Sequence, residues 1–123
     1  MNRRAAEKRG RGAETLACWY LRLKGWRILA RRARVPGGEV DIVARRGSTL
    51  AFVEVKARGT AEAAAFALDR WRLRRVAVAA ERLAPRYMRA GDDIRIDALF
   101  LVPRRWPRHL ADVWQGDSGR PAY

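Results

Sequence analysis

Two short runs carry an alternating pattern with charges at the wrong places for a strand. They are Gly38-Glu39-Val40-Asp41-Ile42-Val43-Ala44 and Leu50-Ala51-Phe52-Val53-Glu54-Val55-Lys56, separated by Arg46-Gly47-Ser48. Period-2 alternation rich in β-branched residues predicts two strands, and the glycine-containing break predicts the turn between them. Val40, Ile42 and Ala44 are expected on one face, so Glu39 and Asp41 fall on the other. In the second strand Glu54 and Lys56 share a face by the same rule. If the strands pair as a hairpin, three carboxylates and one ammonium gather on one side of a sheet.

Charges on a half-buried strand are unfavourable unless they are paired or bind a cation, and Asp, Glu and Lys are poor strand formers. As rim charges they would form surface ion pairs worth only ~0–1 kcal/mol. As a site they suit a hard divalent cation, which prefers carboxylate oxygens and keeps several waters. Such a cation activates water and stabilises charge on a phosphate oxygen, and a neighbouring lysine orients the nucleophile or neutralises the transition state. Asp41, Glu54 and Lys56 supply these parts.

The order Asp41, then Glu54-Val55-Lys56 thirteen positions on, resembles the Asp…(Glu/Asp)-x-Lys signature of restriction-endonuclease-like nucleases. The longer run, Gly38 to Val43 followed by Phe52 to Arg58, is similar to the YraN family of small bacterial proteins, from about Gly12 to Trp114. That family is functionally uncharacterised and is described as nuclease-like, similar to archaeal Holliday-junction resolvases. The resemblance implies an α/β, restriction-endonuclease-like fold with a mixed central sheet (α-β-β-β-α-β) flanked by helices. It implies a metal-dependent endonuclease acting on DNA, with branched or junction DNA as the candidate substrate. Asp41 and Glu54 would bind Mg²⁺ or Mn²⁺, with the Val55 carbonyl and Glu39 as further ligands. Lys56 would act on the attacking water. Gly12-Ala13-Glu14 matches a Gly-x-Glu of the family's first helix, which adds Glu14 to the site; by charge alone Glu14 also suits a helix N-terminus. One departure is Trp71, where related proteins usually carry a lysine.

Net charge separates the candidate partners. Lys and Arg number 27 against 13 acids, a charge of +14, which favours a polyanion. Arginine dominates, and it suits bidentate phosphate contacts. Arg34, Arg58, Arg70, Arg72 and Arg74 are the expected nucleic-acid contacts, although a basic surface also arises from an arginine-rich coding bias. The alternative function is a non-catalytic basic nucleic-acid-binding module of the same fold. One cysteine and one histidine, Cys18 and His109, rule out a Cys/His zinc site. No apolar run reaches membrane-spanning length and no signal-peptide core follows the basic N-terminus, so no membrane partner and a cytoplasmic location are expected. Resolvases of similar fold act as dimers, which makes a homodimer the candidate assembly.

The remaining elements follow from periodicity. Residues 1–11 read as a flexible basic arm with room for a partly helical stretch, 12–114 as the endonuclease-like domain and 115–123 as a disordered tail. Ala13 to Lys24 is predicted as a helix buried along Leu16, Trp19, Tyr20 and Leu23, with Gly25 ending it. Trp26 to Ala33 is a strand leading to the Pro36-Gly37-Gly38 turn, whose glycines allow close approach of a ligand. Thr60 is a candidate N-cap. A helical segment follows, broken near Asp69, with a stripe of Leu73, Val76, Ala77, Ala80 and Leu83 and an end at Pro85. Ile94 to Val102 is a strand whose Arg95-Ile96-Asp97 reads as a structural ion pair. Trp106, in a basic loop between Pro103 and Pro107, is expected in a core or lid role, with stacking on an unpaired base as the other reading. Residues 109–114 are expected to add a last short strand.

Overall fold

The computed structural model describes residues 3–114 and 116, with side chains from residue 12 onward. The elements run α1 (Arg3–Leu23), β1 (Arg27–Val35), β2 (Gly38–Arg46), β3 (Thr49–Ala57), α2 (Ala61–Ala67), α3 (Arg70–Tyr87), β4 (Asp93–Leu101) and β5 (Arg108–Leu110). The strands form one mixed five-stranded sheet in the order β1-β2-β3-β4-β5. β1 to β3 are an antiparallel meander, β4 lies parallel to β3, and β5 returns antiparallel. The parallel step needs a crossover, and α2 and α3 supply it. This is the expected mixed sheet flanked by helices, compatible with the restriction-endonuclease-like fold. Among the described residues no helix is long and apolar enough to cross a membrane.

Each face of the sheet has its own core. On one, Val43, Leu50, Phe52, Ile96, Ala98 and Phe100 pack with Leu73, Val76, Ala79 and Ala80 of α3 and Ala64 of α2. On the other, Ile42, Ala44, Ala51, Val53 and Leu99 pack with Ala17, Cys18 and Leu21 of α1. The caps fall where expected. The Thr60 hydroxyl accepts from the Ala63 N–H at 3.1 Å, and Asp69 accepts from the Arg72 N–H at 2.8 Å.

Four expectations are corrected. First, the buried face of α1, a helix that runs from Arg3 and so takes in part of the basic arm, is not the predicted one. Leu16, Trp19 and Leu23 are 56%, 59% and 80% exposed. The face against the sheet is Glu14, Ala17, Cys18 and Leu21, also an i, i+3, i+4, i+7 set. Small residues let the helix lie close to the strands. Burial pushes the Cys18 thiol pKa up, as for an inert core cysteine. Second, α3 runs past Pro85 to Tyr87. The bond that Pro85 cannot donate would have gone to exposed Glu81, and Met88 N–H closes the end on the Ala84 carbonyl at 2.7 Å.

Third, Gly38 approaches protein and not a ligand. A Cβ there would lie 2.5 Å from the Arg75 carbonyl oxygen and 2.7 Å from Ala79 N, so α3 crosses directly over it. Fourth, β2 changes phase. Val40 belongs to the α3 core, but Ile42 and Ala44 belong to the α1 core. Residue Asp41 stands at the change. The tail expected at 115–123 lies outside the described residues except for Gly116, as do residues 1 and 2 of the expected arm.

Candidate functional site

The neighbouring strand is unusual at the same level. β1 and β2 pair Arg31 with Ile42 and Ala33 with Val40, which places Arg32 opposite Asp41; the register shift between these strands falls further along, between Ile28 and Ala30. Arg32 has φ +50, a left-handed conformation that non-glycine residues seldom adopt. Such strain persists only where surrounding contacts impose it, and it concentrates at functional sites. Here Arg32 Nε donates to Glu14 at 2.7 Å. The sequence reading did not single out Arg32, because nothing in a run of arginines marks one of them as left-handed.

On its other side β2 pairs with β3 only up to Ile42–Val53. Beyond that point the backbones part, and the Asp41 side chain takes over: its Oδ2 accepts from the Val55 N–H at 2.7 Å. Glu54, the residue that would face Asp41 one step further along the register, forms a 2.9 Å ion pair with Lys56. Glu54 and Lys56 share a strand face by alternation with Leu50 and Phe52, and both are buried, at 4% and 5% exposure. A buried pair at this spacing on a strand is held by the pleat itself. Its burial argues against the rim-charge reading, since exposed ion pairs would lie in solvent.

The Asp41 carboxyl is pushed up to about 7, first by burial and then by the Glu54 charge, with a further contribution from Glu14. The Val55 N–H and the Lys56 ammonium pull in the opposite direction. Asp41, Glu54, Lys56 and Glu14 are therefore one electrostatic unit. Glu14 reaches it because it occupies the sheet-facing stripe of α1. A cleft of about 280 Å³ opens onto the unit, lined by Glu14, Arg32, Ala33, Arg34, Glu39, Val40 and Asp41. Glu54 and Lys56 are absent from that lining.

Glu39 is drawn the other way. It is 3.3 Å from Arg72, 3.8 Å from Arg75 and 3.9 Å from Arg34. It joins the cleft to α3 and is not gathered against Glu54. Of the remaining expected phosphate contacts, Arg58 is exposed and donates to the Ala57 carbonyl at 2.8 Å, and Arg70 lies 5.6 Å from the Trp114 ring centroid. Arg74 is exposed on α3. Trp71 is 61% exposed and carries the Arg75 guanidinium 5.3 Å from its ring centroid.

Among the described residues no three His, Cys, Asp or Glu side chains converge at metal-ligating spacing. Mg²⁺ does not require three, because it usually takes one or two carboxylates and keeps its waters. Asp41 uses one oxygen on Val55, and burial first, then the Glu54 charge, hold its carboxyl up, the second of which a cation would offset. The residues present fit an oxygen-preferring divalent ion on Asp41 and Glu54.

The Arg95–Asp97 pair is structural. Asp97 is fully buried and accepts from Arg95 at 3.0 and 2.8 Å, from the Asp112 N–H at 2.9 Å, and lies 2.7 Å from His109 Nε2. Burial pushes its carboxyl up, but the bonds from His109, Arg95 and Asp112 outweigh that and hold it below the usual carboxylate value. His109 in this role was not legible, since it needs β5 to return beside β4.

A model of the uncharacterised protein family UPF0102 matches residues 13–101. A UPF0102 protein of Sphingopyxis alaskensis is 64% identical over 115 residues, covering 94% of this chain and 99% of the relative. A UPF0102 protein of Rhizorhabdus wittichii is 56% identical over 117 residues with the same coverage. One of Parvibaculum lavamentivorans is 55% identical over 112 residues, covering 90% and 84%. The chain belongs to the UPF0102 family, the YraN family of the resemblance.

Proposed function

We propose that this UPF0102 member is a metal-dependent nuclease that hydrolyses phosphodiester bonds in DNA. The observation that carries the reading is the Asp41–Glu54–Lys56 unit. Two carboxylates sit on adjacent strands where the hairpin opens, a lysine lies 2.9 Å from one of them, and the other is pushed up to about 7. Groups with such perturbed protonation, placed beside a cleft, are functional candidates.

Asp41 and Glu54 would hold Mg²⁺ or Mn²⁺ through carboxylate oxygens, with the Val55 carbonyl between Glu54 and Lys56 as a further donor. A divalent ion bound there supplies Lewis-acid polarisation of a phosphate oxygen and a more acidic water. Lys56 lies at the site, where its positive end would offset charge developing on the phosphate. Glu14, fixed by Arg32, adds negative charge on the α1 side. The water's oxygen would bond to phosphorus as the opposite phosphorus–oxygen ester bond breaks, the water giving up a proton to solvent and the departing alkoxide taking one up from solvent to leave as an alcohol. Arg34, Arg70, Arg72 and Arg74 would hold flanking phosphates in a salt-sensitive, sequence-independent way. Branched DNA is the proposed substrate by family likeness. A junction with two symmetric cleavage sites would require a homodimer. The proposed setting is the cytoplasm.

A second reading, a non-catalytic basic nucleic-acid-binding module, is favoured by one observation. Each acid already has a partner: Asp41 the Val55 N–H, Glu54 Lys56, Glu14 Arg32, and Glu39 three arginines. The test is cleavage of labelled four-way-junction, flap, single-stranded and linear DNA in Mg²⁺, Mn²⁺ or chelator. Metal-dependent cutting, lost in Asp41→Ala and Glu54→Ala, is the expected result. Binding without cutting, unchanged in both variants and in chelator, would replace the nuclease with the binding module.

A further inference from the structure

The apolar stripe of α1 that the core leaves outside does not stand alone. Leu16 joins Pro103, Trp106 and Pro107 in lining a groove of about 730 Å³. Arg58, Arg104 and Arg105 are the charged residues of that lining, and it contains no carboxylate. The groove starts beside the candidate active site: Gly12 and Ala13 of its wall precede Glu14, and Ala57 and Arg58 follow Lys56.

We infer that this groove binds an unpaired strand of nucleic acid, with Trp106 stacking on a base and Arg58, Arg104 and Arg105 on the neighbouring phosphates. Trp106 is 86% exposed. The indole therefore lies outside the core, with its faces open to a planar partner. The loop presents it firmly: two prolines bracket it, Arg105 N–H closes a turn on the Val102 carbonyl at 3.2 Å, and Arg104 is held at φ +65. Stacking platforms set in cationic grooves are how single strands are bound without sequence preference. An intact duplex offers phosphate and sugar to such a groove but hides its base faces. A second copy of this chain would bring the same arginines together with no acid to meet them. An acidic peptide with apolar residues shares part of the chemistry, but the groove's position beside Glu14 and Lys56 favours the strand that the site would cut. That last step rests on the nuclease reading; the stacking itself does not.

The experiment is fluorescence anisotropy of a labelled oligo-dT strand and of a duplex of equal length, in chelator. Wild type, Trp106→Ala, Trp106→Phe and Arg104→Ala/Arg105→Ala are compared. Trp106→Ala is expected to weaken strand binding about tenfold and duplex binding less than about twofold, with Trp106→Phe retaining most of the affinity. The double arginine variant should flatten the salt dependence of strand binding. Unchanged strand affinity in Trp106→Ala, or equal loss on strand and duplex, overturns the inference. Unchanged strand affinity together with Trp106-dependent uptake of an Asp-rich peptide ending in Leu-Phe assigns the groove to a protein partner and also overturns it. Thermal melting confirms that the exposed substitution leaves the fold intact. Cleavage in Mg²⁺ on the same preparations separates the two proposals: no cutting with the Trp106 effect present sinks the nuclease alone, and cutting without that effect sinks the groove alone.

Discussion

Asp41 and Val55 are joined side chain to backbone: Oδ2 of the aspartate accepts the valine N–H at 2.7 Å, one step past the last residue pair of the β2–β3 ladder. The bond substitutes a carboxylate for the carbonyl that a continued ladder would have offered. It holds Asp41 at the mouth of the opened hairpin, next to Glu54, where burial and that second charge raise its pKa. Site geometry and site electrostatics thus have one origin, the early end of strand pairing.

The first consequence is a pH dependence. Asp41 titrates at about 7 when folded, against 3.8 as an ordinary carboxyl. The folded state holds the proton more tightly, so the stability this group contributes is complete below the lower value and is lost as pH rises through the higher one. Asp41→Asn keeps the acceptor for Val55 but does not ionise. It should match wild type near about pH 4 and exceed it above about pH 7, on the order of 2 kcal/mol or several degrees in Tm. Melting curves across that range check this; equal stability at high pH would place Asp41 in solvent.

The same ionisation governs the proposed cation. An ionised Asp41 binds it and a protonated one does not, so thermal stabilisation by Mg²⁺ should grow as pH rises through about 7 and level off above it. Asp41→Asn and Glu54→Gln should each remove most of the Mg²⁺-induced shift. A shift that survives in both variants would locate the ion elsewhere.

Lys56 is expected to have two separable roles. Lys56→Met leaves Glu54 buried without its cation, a change that typically costs about 3–5 kcal/mol. Glu54→Gln combined with Lys56→Met removes both charges and should recover much of that stability. Neither variant should cleave DNA. If the double variant regains stability and cuts DNA at the wild-type rate, the pair is structural only.

Much of this site was legible because it is local. Strand alternation placed Glu54 with Lys56, and turn chemistry set the hairpin that brings Asp41 beside them. Thr60 and Asp69 announced their helices through short-range hydrogen bonding. The face of α1 was not legible, because two apolar stripes at helical spacing compete and the one with the larger side chains is not the buried one. Ala17 and Cys18 are small, and close helix–sheet packing selects for small residues, while Leu16, Trp19 and Leu23 remain outside. Arg32 and His109 were missed for another reason. A left-handed φ and a 2.7 Å contact to Asp97 depend on partners far along the chain, which no local pattern carries.

Gly38 tests the packing of α3 over the sheet. A Cβ at this position would meet backbone atoms of Arg75 and Ala79, which cannot rotate aside as a side-chain tip can. Gly38→Ala should push the helix away from β2 and destabilise by about 1–3 kcal/mol. Because Arg72 and Arg75 reach Glu39 from that helix, the displacement should also weaken the coupling between α3 and the cleft. Denaturant unfolding supplies the first readout, and DNA affinity the second. Wild-type stability in Gly38→Ala would mean that α3 sits further from the sheet than these distances require.

A last prediction concerns acid. Arg45 at the end of β2 donates to Asp92 at 2.9 and 2.6 Å and to the Tyr87 carbonyl at 2.9 Å, tying β2 to the turn that leads from α3 into β4. The hydrogen bonds from Arg45, with one from the Arg89 N–H, hold the Asp92 carboxyl down to about 2. For a depressed carboxyl the stabilising contribution is present above its ordinary value of 3.8 and is lost as pH falls through the folded value. Above that ordinary value wild type should therefore resist unfolding better than Asp92→Asn, and the difference should shrink as pH falls toward about 2. Arg45→Met should be the more damaging change at neutral pH, because it leaves an ionised Asp92 in a site with little solvent to replace the guanidinium. Asp92→Asn with Arg45→Met should lie between wild type and the single Arg45 variant. Melting profiles that run parallel for wild type and Asp92→Asn down to about pH 2 would show that the staple is too hydrated to couple folding to this proton.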